Sequence, residues 1–155
     1  MSDRASKNEY EDRSGPRIKI LLENFFRNKR WHIQIENLLL PDDSDSLREE
    51  LIRLRNESVD IIFTTGGTGI GPRDITPDTV APLCDKVIPG IMEYIRIKYG
   101  QDRPNALLSR SIAGVMRNTL IYTLPGSIKA VEQYLEEILK TLEHLILTIN
   151  NIDNH

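Results

Sequence analysis

The chain has 155 residues and a mass of 17.8 kDa, the usual size of one domain with a substantial core. Its 20 basic and 23 acidic residues give a net charge of -3, which argues against nucleic-acid binding driven by overall charge. The single cysteine excludes an intrachain disulfide, and no apolar run is long enough to form a signal peptide or to span a bilayer. These features together predict a cytoplasmic domain without a membrane partner.

The first half of the chain predicts two helices and two strands. Apolar spacing of three and four residues predicts a helix after Pro16, with one face formed by Ile18, Leu21, Leu22 and Phe25. Alternation predicts a strand that ends near Leu40 and carries Trp31, Ile33 and Ile35. Ser46 and Glu49 have the spacing of a capping box, which predicts a second helix. The β-branched and aromatic run 59–64 is typical of a buried strand.

The second half predicts three more helices and a hairpin. Thr76 and Pro77 look like an N-cap and first turn of a short helix that runs towards Cys84. Another helix follows residues 89–90 and stops by Gly100. Two apolar runs within 106–124 are split by Arg117-Asn118, which suggests a hairpin whose clearer strand is 119–124. The longest helix follows Pro125-Gly126 and keeps its apolar spacing to Ile149.

Alternating strands and helices with short connections predict an α/β fold, a three-layer, doubly wound and mostly parallel sheet flanked by helices. One domain is expected over residues 1–149, followed by a polar tail at 150–155. Ligands of such folds bind beyond the carboxyl ends of strands. The residues that follow each strand are therefore the candidates for a site.

The strongest candidate is a glycine loop, TTGGTGIGPRD, directly after the buried strand. Its four glycines within six positions are Gly66, Gly67, Gly69 and Gly71. Glycine permits close backbone approach and positive φ, so that successive N–H groups can form a nest for phosphates. The loop matches neither a Walker A motif nor the dinucleotide fingerprint. A plain glycine turn is the alternative interpretation.

Carboxylates follow two predicted strands. Asp42 and Asp43 come after the first strand, and Asp74 ends the glycine loop. Hard oxygen ligands of this kind could share Mg²⁺ with the phosphates of a nucleotide. The alternative is that Asp42 and Asp43 only cap the next helix.

Two further clusters place a hydroxyl beside a cation. Ser109 precedes Arg110, and Ser127 lies between Gly126 and Lys129 at the start of the longest helix, whose N-terminus attracts anions. Ser127 could equally be an N-cap, and the two cations could be solvated surface charges.

Four of these motifs resemble those of a known protein family and occur in the same order. TTGGTGIGPRDITPDT, PDD, LSRSIAG and LPGSIKAV resemble the molybdopterin adenylyltransferases, which include the bacterial Mog proteins and the G domains of plant and animal homologues. The opening SDRAS…YEDRSGP is similar to the Mog branch, so the resemblance covers residues 2–149. It implies a doubly wound α/β domain, a homotrimer and transfer of AMP from Mg-ATP to the terminal phosphate of molybdopterin, with release of pyrophosphate. A molybdate-inserting partner protein would use the product.

The resemblance also implies roles for individual residues. Asp42 and Asp74 match the two essential carboxylates, which would hold Mg²⁺. Nucleotide binding would fall to Gly66, Gly67, Thr68, Gly69 and Gly126. The pterin and phosphate pocket would be lined by Ser2, Asp3, Asp12, Ser109, Arg110, Ser127 and Lys129.

The sequence departs from the family at its start. Relatives begin with an apolar strand before the SDR segment, whereas only Met1 precedes Ser2 here. We therefore expect the first strand to be missing, which would leave core surface and backbone groups uncovered. Two alternatives to the enzyme remain: a molybdopterin-binding relative without turnover, and a scaffold module.

Overall fold

The chain folds as a four-stranded sheet with helices on both faces. The structure, a computed structural model, describes residues 12–152. The helices are α1 (Ser14–Asn28), α2 (Ser44–Asn56), α3 (Thr76–Val80), α4 (Pro89–Gly100) and α5 (Ile128–Ile149). The strands are β1 (Ile61–Thr65), β2 (Lys86–Val87), β3 (Ala113–Met116) and β4 (Thr119–Leu124). Short 3-10 helices occupy Ala81–Leu83 and Pro104–Leu108.

The strand order is β1-β4-β3-β2, with β1 parallel to β4 and the other two pairs antiparallel. Residues that alternate along the strands face two separate layers of core. Ile62 and its register partner Ile121 pack with α2 and α3, whereas Leu120 and Tyr122 face α1, α4 and α5. The three-layer α/β architecture is confirmed, but the predicted mostly parallel sheet is mixed in the described residues, because β3 and β4 form a hairpin and β2 pairs antiparallel with β3.

Most of the predicted elements are present. The helix after Pro16, the helix up to Gly100, the buried strand and the hairpin split at residues 117–118 all form. The longest helix begins where predicted, and the Ser127 side chain caps it by accepting from Ala130 N at 3.2 Å. The short helix predicted to run towards Cys84 forms as α3 followed by the 3-10 helix at Ala81–Leu83. Strand β2 and the 3-10 helix at Pro104–Leu108 were not predicted, because each is too short to carry a periodic pattern.

Two predicted helix caps are wrong. The N-cap of α2 is Asp43, whose Oδ2 accepts from Ser46 N at 2.8 Å, so the capping box on Ser46 does not form. This hydrogen bond from the Ser46 backbone lowers the pKa of the Asp43 carboxyl. Helix α3 begins at Thr76 itself. The Thr76 hydroxyl donates to the Gly66 carbonyl instead of capping the helix. The cap by Asp43 is the alternative that the sequence allowed for Asp42 and Asp43, whereas the Thr76 hydroxyl binds a carbonyl ten residues earlier, which no local spacing reveals.

The predicted strand that ends near Leu40 is also wrong. Within the described chain, residues 31–40 pair with no strand, and β1 pairs with β4 alone. Residues 31–40 and β1 both line a cavity of about 1620 Å³. A ladder requires a neighbouring strand about 4.8 Å away, so alternation alone could not produce one here. Trp31 and Ile35 are instead half-buried against the core, where Trp31 stacks on Phe26.

Candidate functional site

The glycine loop leaves β1 through two residues in the left-handed region. Gly66 has φ of 89° and Gly67 has φ of 63°, a conformation that costs other L-residues energy. Gly66 N still donates to the Leu124 carbonyl at 2.9 Å, which extends the pairing of β1 with β4 by one bond. The chain then turns away from the sheet, so the loop lies beyond the carboxyl ends of both strands.

Four successive carbonyls of this loop are bonded back to the protein. Thr76 donates to Gly66 from its hydroxyl and to Gly67 from its backbone, both at 3.0 Å. Arg110 donates to Thr68 from its backbone at 2.8 Å and to Gly69 from Nε at 2.7 Å. In a trans peptide the C=O and the following N–H point in opposite directions. The N–H groups of residues 67–70, which no described residue accepts, therefore face away from these anchors and are available to an anion.

Asp74 is folded against the same loop. Its Oδ2 accepts from Gly71 N at 2.8 Å. A Cβ added at Gly69 would lie 2.7 Å from that oxygen, so only glycine leaves room for the carboxylate. The structure thus places one of the two predicted essential carboxylates at the loop, half-buried and held by its own turn.

A second strand-end turn meets the glycine loop. A Cβ added at Gly126 would lie 3.4 Å from the Cα of Gly66, so the turn after β4 passes directly beside the loop after β1. Ser14 donates from its hydroxyl to the Gly126 carbonyl at 2.9 Å, and Asp12 accepts from Ser14 N at 3.0 Å and from Gly15 N at 3.2 Å. The structure therefore brings the predicted Asp12 to the same end of the sheet as Gly126.

Three further predicted residues, Asp42, Ser127 and Lys129, lie at or near the starts of helices α2 and α5. Asp42 is half-buried two residues ahead of α2, which packs against α3 beyond the glycine loop. Ser127 caps α5, and Lys129 is exposed in its first turn. The predicted Ser2 and Asp3 lie outside the described residues.

Ser109 and Arg110 bind different parts of the protein. The Ser109 hydroxyl accepts from Tyr134 of α5 at 3.0 Å and lies 2.9 Å from the Ser111 hydroxyl. The Arg110 guanidinium instead reaches the glycine loop and the exposed carboxylate of Asp78. From the residues alone Arg110 could equally have been a solvated surface charge, and only the family resemblance placed both residues in the pterin and phosphate pocket.

The donor set suits a magnesium ion that arrives with a nucleotide. Among residues 12–152 no three carboxylate, histidine or thiol side chains group closely enough to cage a metal ion. Mg²⁺ in phosphate sites commonly uses only one or two carboxylates and takes its other ligands from phosphate and water. Only one oxygen of Asp74 is engaged by Gly71, so this carboxylate fits such a role.

Sequence reasoning missed several residues that shape the site. Thr76 anchors two loop carbonyls, Ser14 holds the turn at Gly126, and Tyr134 binds Ser109. The partners in these bonds lie far apart in the chain, and no local pattern marks them. The sequence signal closest to one of them was the Thr76-Pro77 pair, which was interpreted as a helix cap.

The geometry defines an α/β domain with a glycine loop at the point where two strands end. A family model described as "Probable molybdopterin binding domain" matches residues 1–144, and the chain belongs to this family. A molybdopterin adenylyltransferase of Helicobacter pylori is 37% identical over 147 residues, covering 94% of this chain and 81% of that protein. Gephyrin of Dictyostelium discoideum is 36% identical over 97% of this chain but only 22% of its own length.

Solved structures similar to this chain come from the same family. The chain resembles MogA with a TM-score of 0.86 and 35% identity, covering 96% of this chain and 94% of that one. It resembles the Mog protein of Mycobacterium ulcerans with a TM-score of 0.85 and 34% identity, covering 97% and 92%. The chain is therefore a member of a molybdenum cofactor biosynthesis family. No helix in the described part of the chain is long and apolar enough to cross a membrane.

Proposed function

We propose that this chain is a molybdopterin adenylyltransferase, which transfers AMP from Mg-ATP to the terminal phosphate of molybdopterin. The observation that carries the proposal is the loop over residues 66–69, whose carbonyls are all bonded to the protein. The N–H groups of residues 67–70 consequently face away from those anchors, at the end of the sheet where the Gly126 turn arrives. Two anionic substrates need two such neighbouring cradles. The 37% identity to a protein named for this activity supports the same reaction.

The chemistry is an in-line displacement at the α-phosphorus of ATP. An oxygen of the molybdopterin phosphate forms the new bond to phosphorus, and the bond to the β-phosphate oxygen breaks, so pyrophosphate leaves with that electron pair. The attacking oxygen is already anionic, so no general base is required. The protein must instead bring two polyanions together and stabilise charge on the leaving group.

The residues divide between the two substrates. Backbone donors of residues 67–69 would hold the nucleotide phosphates. The N-terminal turn of α5, capped by Ser127 and carrying the exposed Lys129, would hold the phosphate of molybdopterin. Magnesium bound with ATP would be held by Asp74 and Asp42 and would neutralise charge on the departing pyrophosphate.

The test is pyrophosphate release from Mg-ATP with and without molybdopterin. We expect release that depends on molybdopterin, and we expect Asp74→Ala to reduce it by at least about a hundredfold, because a well-placed charged group contributes about 3 kcal/mol or more to such a transition state. Asp102→Asn is the matched control, since it removes one carboxylate charge from an exposed turn. It should leave the rate unchanged.

Three other results would contradict the proposal in part or as a whole. Unchanged release by Asp74→Ala would remove the carboxylate from the machinery. Tight molybdopterin binding without any release of pyrophosphate would make the chain a binding protein, and binding of neither substrate would favour a scaffold.

The homotrimer implied by the resemblance is also part of the proposal. An apolar surface remains exposed on α4 and on the 3-10 helix after it: Tyr94, Ile97, Leu107 and Leu108 are all more than half exposed. A second copy of the chain is a natural cover for such a surface. Sedimentation equilibrium should give a trimer for the native chain and a smaller species for Ile97→Glu.

A further inference from the structure

We propose that Arg110 is a positioning residue, which holds the glycine loop and the Asp74 turn in shape for the nucleotide. This inference rests on the proposed function, because it gives one residue of that site a role. It differs from the role that the family resemblance implies, in which Arg110 lines the pterin and phosphate pocket.

All three nitrogens of the Arg110 guanidinium are hydrogen-bonded to other residues of the protein. Nε donates to the Gly69 carbonyl at 2.7 Å, and the second terminal nitrogen donates to the Asp74 carbonyl at 2.6 Å. The first terminal nitrogen contacts both carboxylate oxygens of Asp78 at 2.8 and 2.9 Å. Carbonyls at both ends of the turn 69–74 are therefore tied to one planar group, which has five donors in a fixed fork.

The backbone of Arg110 is itself anchored to the core. Arg96 of α4 donates to the Ser111 carbonyl at 3.1 Å, and Tyr134 of α5 donates to the Ser109 hydroxyl at 3.0 Å. Ser111 is buried. The segment 109–111 is thus fixed to two helices, and Arg110 transmits their position to the loop.

This anchoring decides which way the loop donors point. Arg110 bonds the carbonyls of Thr68 and Gly69, and each trans peptide then turns its N–H to the opposite side. The N–H groups of Gly69 and Ile70 face outward for this reason. Arg110 also holds the turn in which Asp74 accepts from Gly71. The Asp74 carboxylate and the N–H groups of the loop are therefore fixed relative to each other.

A direct role in binding substrate phosphate fits these contacts less well. A phosphate that approached the first terminal nitrogen would have to displace the Asp78 carboxylate and would be repelled by it. The Asp78 side chain is 69% exposed, so this ion pair lies at the surface, where its main effect is to orient the guanidinium.

The first test needs no catalytic activity. Amide hydrogen exchange is measured in the native chain, in Arg110→Lys and in Asp78→Asn, with Arg48→Lys as the control on an exposed face of α2. The amides of Asp74 and Thr76 report the loop, because they donate to Gly71 and Gly67. We expect about tenfold faster exchange at both amides in Arg110→Lys, since lysine cannot reproduce the fork, and a smaller acceleration in Asp78→Asn. Unchanged exchange in Arg110→Lys would overturn the proposal.

The second test separates positioning from direct binding. Pyrophosphate release is measured against molybdopterin and against Mg²⁺ for the same four proteins. We expect Arg110→Lys and Asp78→Asn to lower kcat and raise the Mg²⁺ requirement, while the KM for molybdopterin stays within about twofold. A raised KM in Arg110→Lys together with a normal or lower KM in Asp78→Asn would identify Arg110 as a substrate ligand and overturn the proposal. If the native chain releases no pyrophosphate, the proposed function fails, and hydrogen exchange still decides whether Arg110 holds the loop.

Discussion

The carboxyl end of β1 and the lateral edge of the same strand contrast sharply. At the end, four consecutive carbonyls over residues 66–69 are bonded by Thr76 and Arg110, and the neighbouring Gly126 turn packs in contact. At the edge away from β4, no strand of the described chain pairs, and a cavity of about 1620 Å³ reaches across to residues 31–40. The two regions are separated by only a few residues.

The contrast shows that the two regions depend on different interactions. The loop is built from single polar contacts to residues distant in the chain, each of which positions one peptide. The edge needs a whole neighbouring strand, because backbone donors and acceptors alternate along it and must all be met. The apolar strand that the family resemblance places before Ser2 remains a prediction.

The largest expected effect is at the loop. In Gly67→Ala a methyl group would be forced into the left-handed region, 2.6 Å from the Thr76 hydroxyl. We expect the free energy of unfolding to fall by about 3 kcal/mol, because the strain and the lost Thr76 contact add. Urea unfolding measures it. Gly90→Ala is the control, since a Cβ there meets nothing within 4 Å and should be neutral or slightly stabilising. Equal effects of the two changes would mean that the loop is not tightly held.

A smaller difference is expected between two isoleucines of the sheet. Ile121 of β4 is completely buried, whereas Ile61 of β1 is half-buried beside the cavity. Truncation to alanine should cost about 3 kcal/mol at Ile121 and about 1 kcal/mol at Ile61, because the cavity already deprives Ile61 of neighbours. The same urea titration compares them. A cost at Ile61 as large as that at Ile121 would show that the edge is packed in solution.

Hydrogen exchange can examine the edge directly. Leu120 N donates to the Asp60 carbonyl and Gly66 N to the Leu124 carbonyl. In a parallel strand the backbone N–H groups of successive residues point to alternate sides. The N–H groups of Ile62 and Thr64 therefore point to β4, whereas those of Ile61 and Phe63 point to the edge beside the cavity. We expect at least about tenfold faster exchange at Ile61 and Phe63. Equal protection at all four amides would show that the edge is already covered.

The smallest expected effect concerns the cap of α2. The Ser46 backbone lowers the pKa of the Asp43 carboxyl in the folded protein, so the carboxylate stabilises the fold above its unfolded pKa. That contribution should disappear as the pH falls below about 4, through the lowered folded value. Asp43→Asn keeps a capping oxygen without the titration. The difference in Tm between the two proteins, which we expect to favour the native chain at pH 7, should shrink to zero or change sign at pH 2.5. A Tm difference that does not change with pH would show that the charge of this carboxylate does not stabilise the cap.

Local periodicity determined much of the architecture. Helix α5 needed only its apolar spacing up to Ile149, and β1 its β-branched run before the glycines. Motif order was enough to locate Gly66 to Gly69, Asp74 and Gly126 beyond strand ends, because chain direction in an α/β fold fixes where loops emerge.

Only the tertiary structure decided the rest. Arg110 bonds to Gly69 and Asp74, which lie 41 and 36 residues earlier in the chain, so no local pattern could distinguish it from a surface cation. The alternation of Trp31, Ile33 and Ile35 predicted a strand but could not supply its partner. The physical reason is the same in both cases. Side-chain spacing along one segment determines which face is apolar, whereas a hydrogen bond depends on what the folded chain brings within about 3 Å.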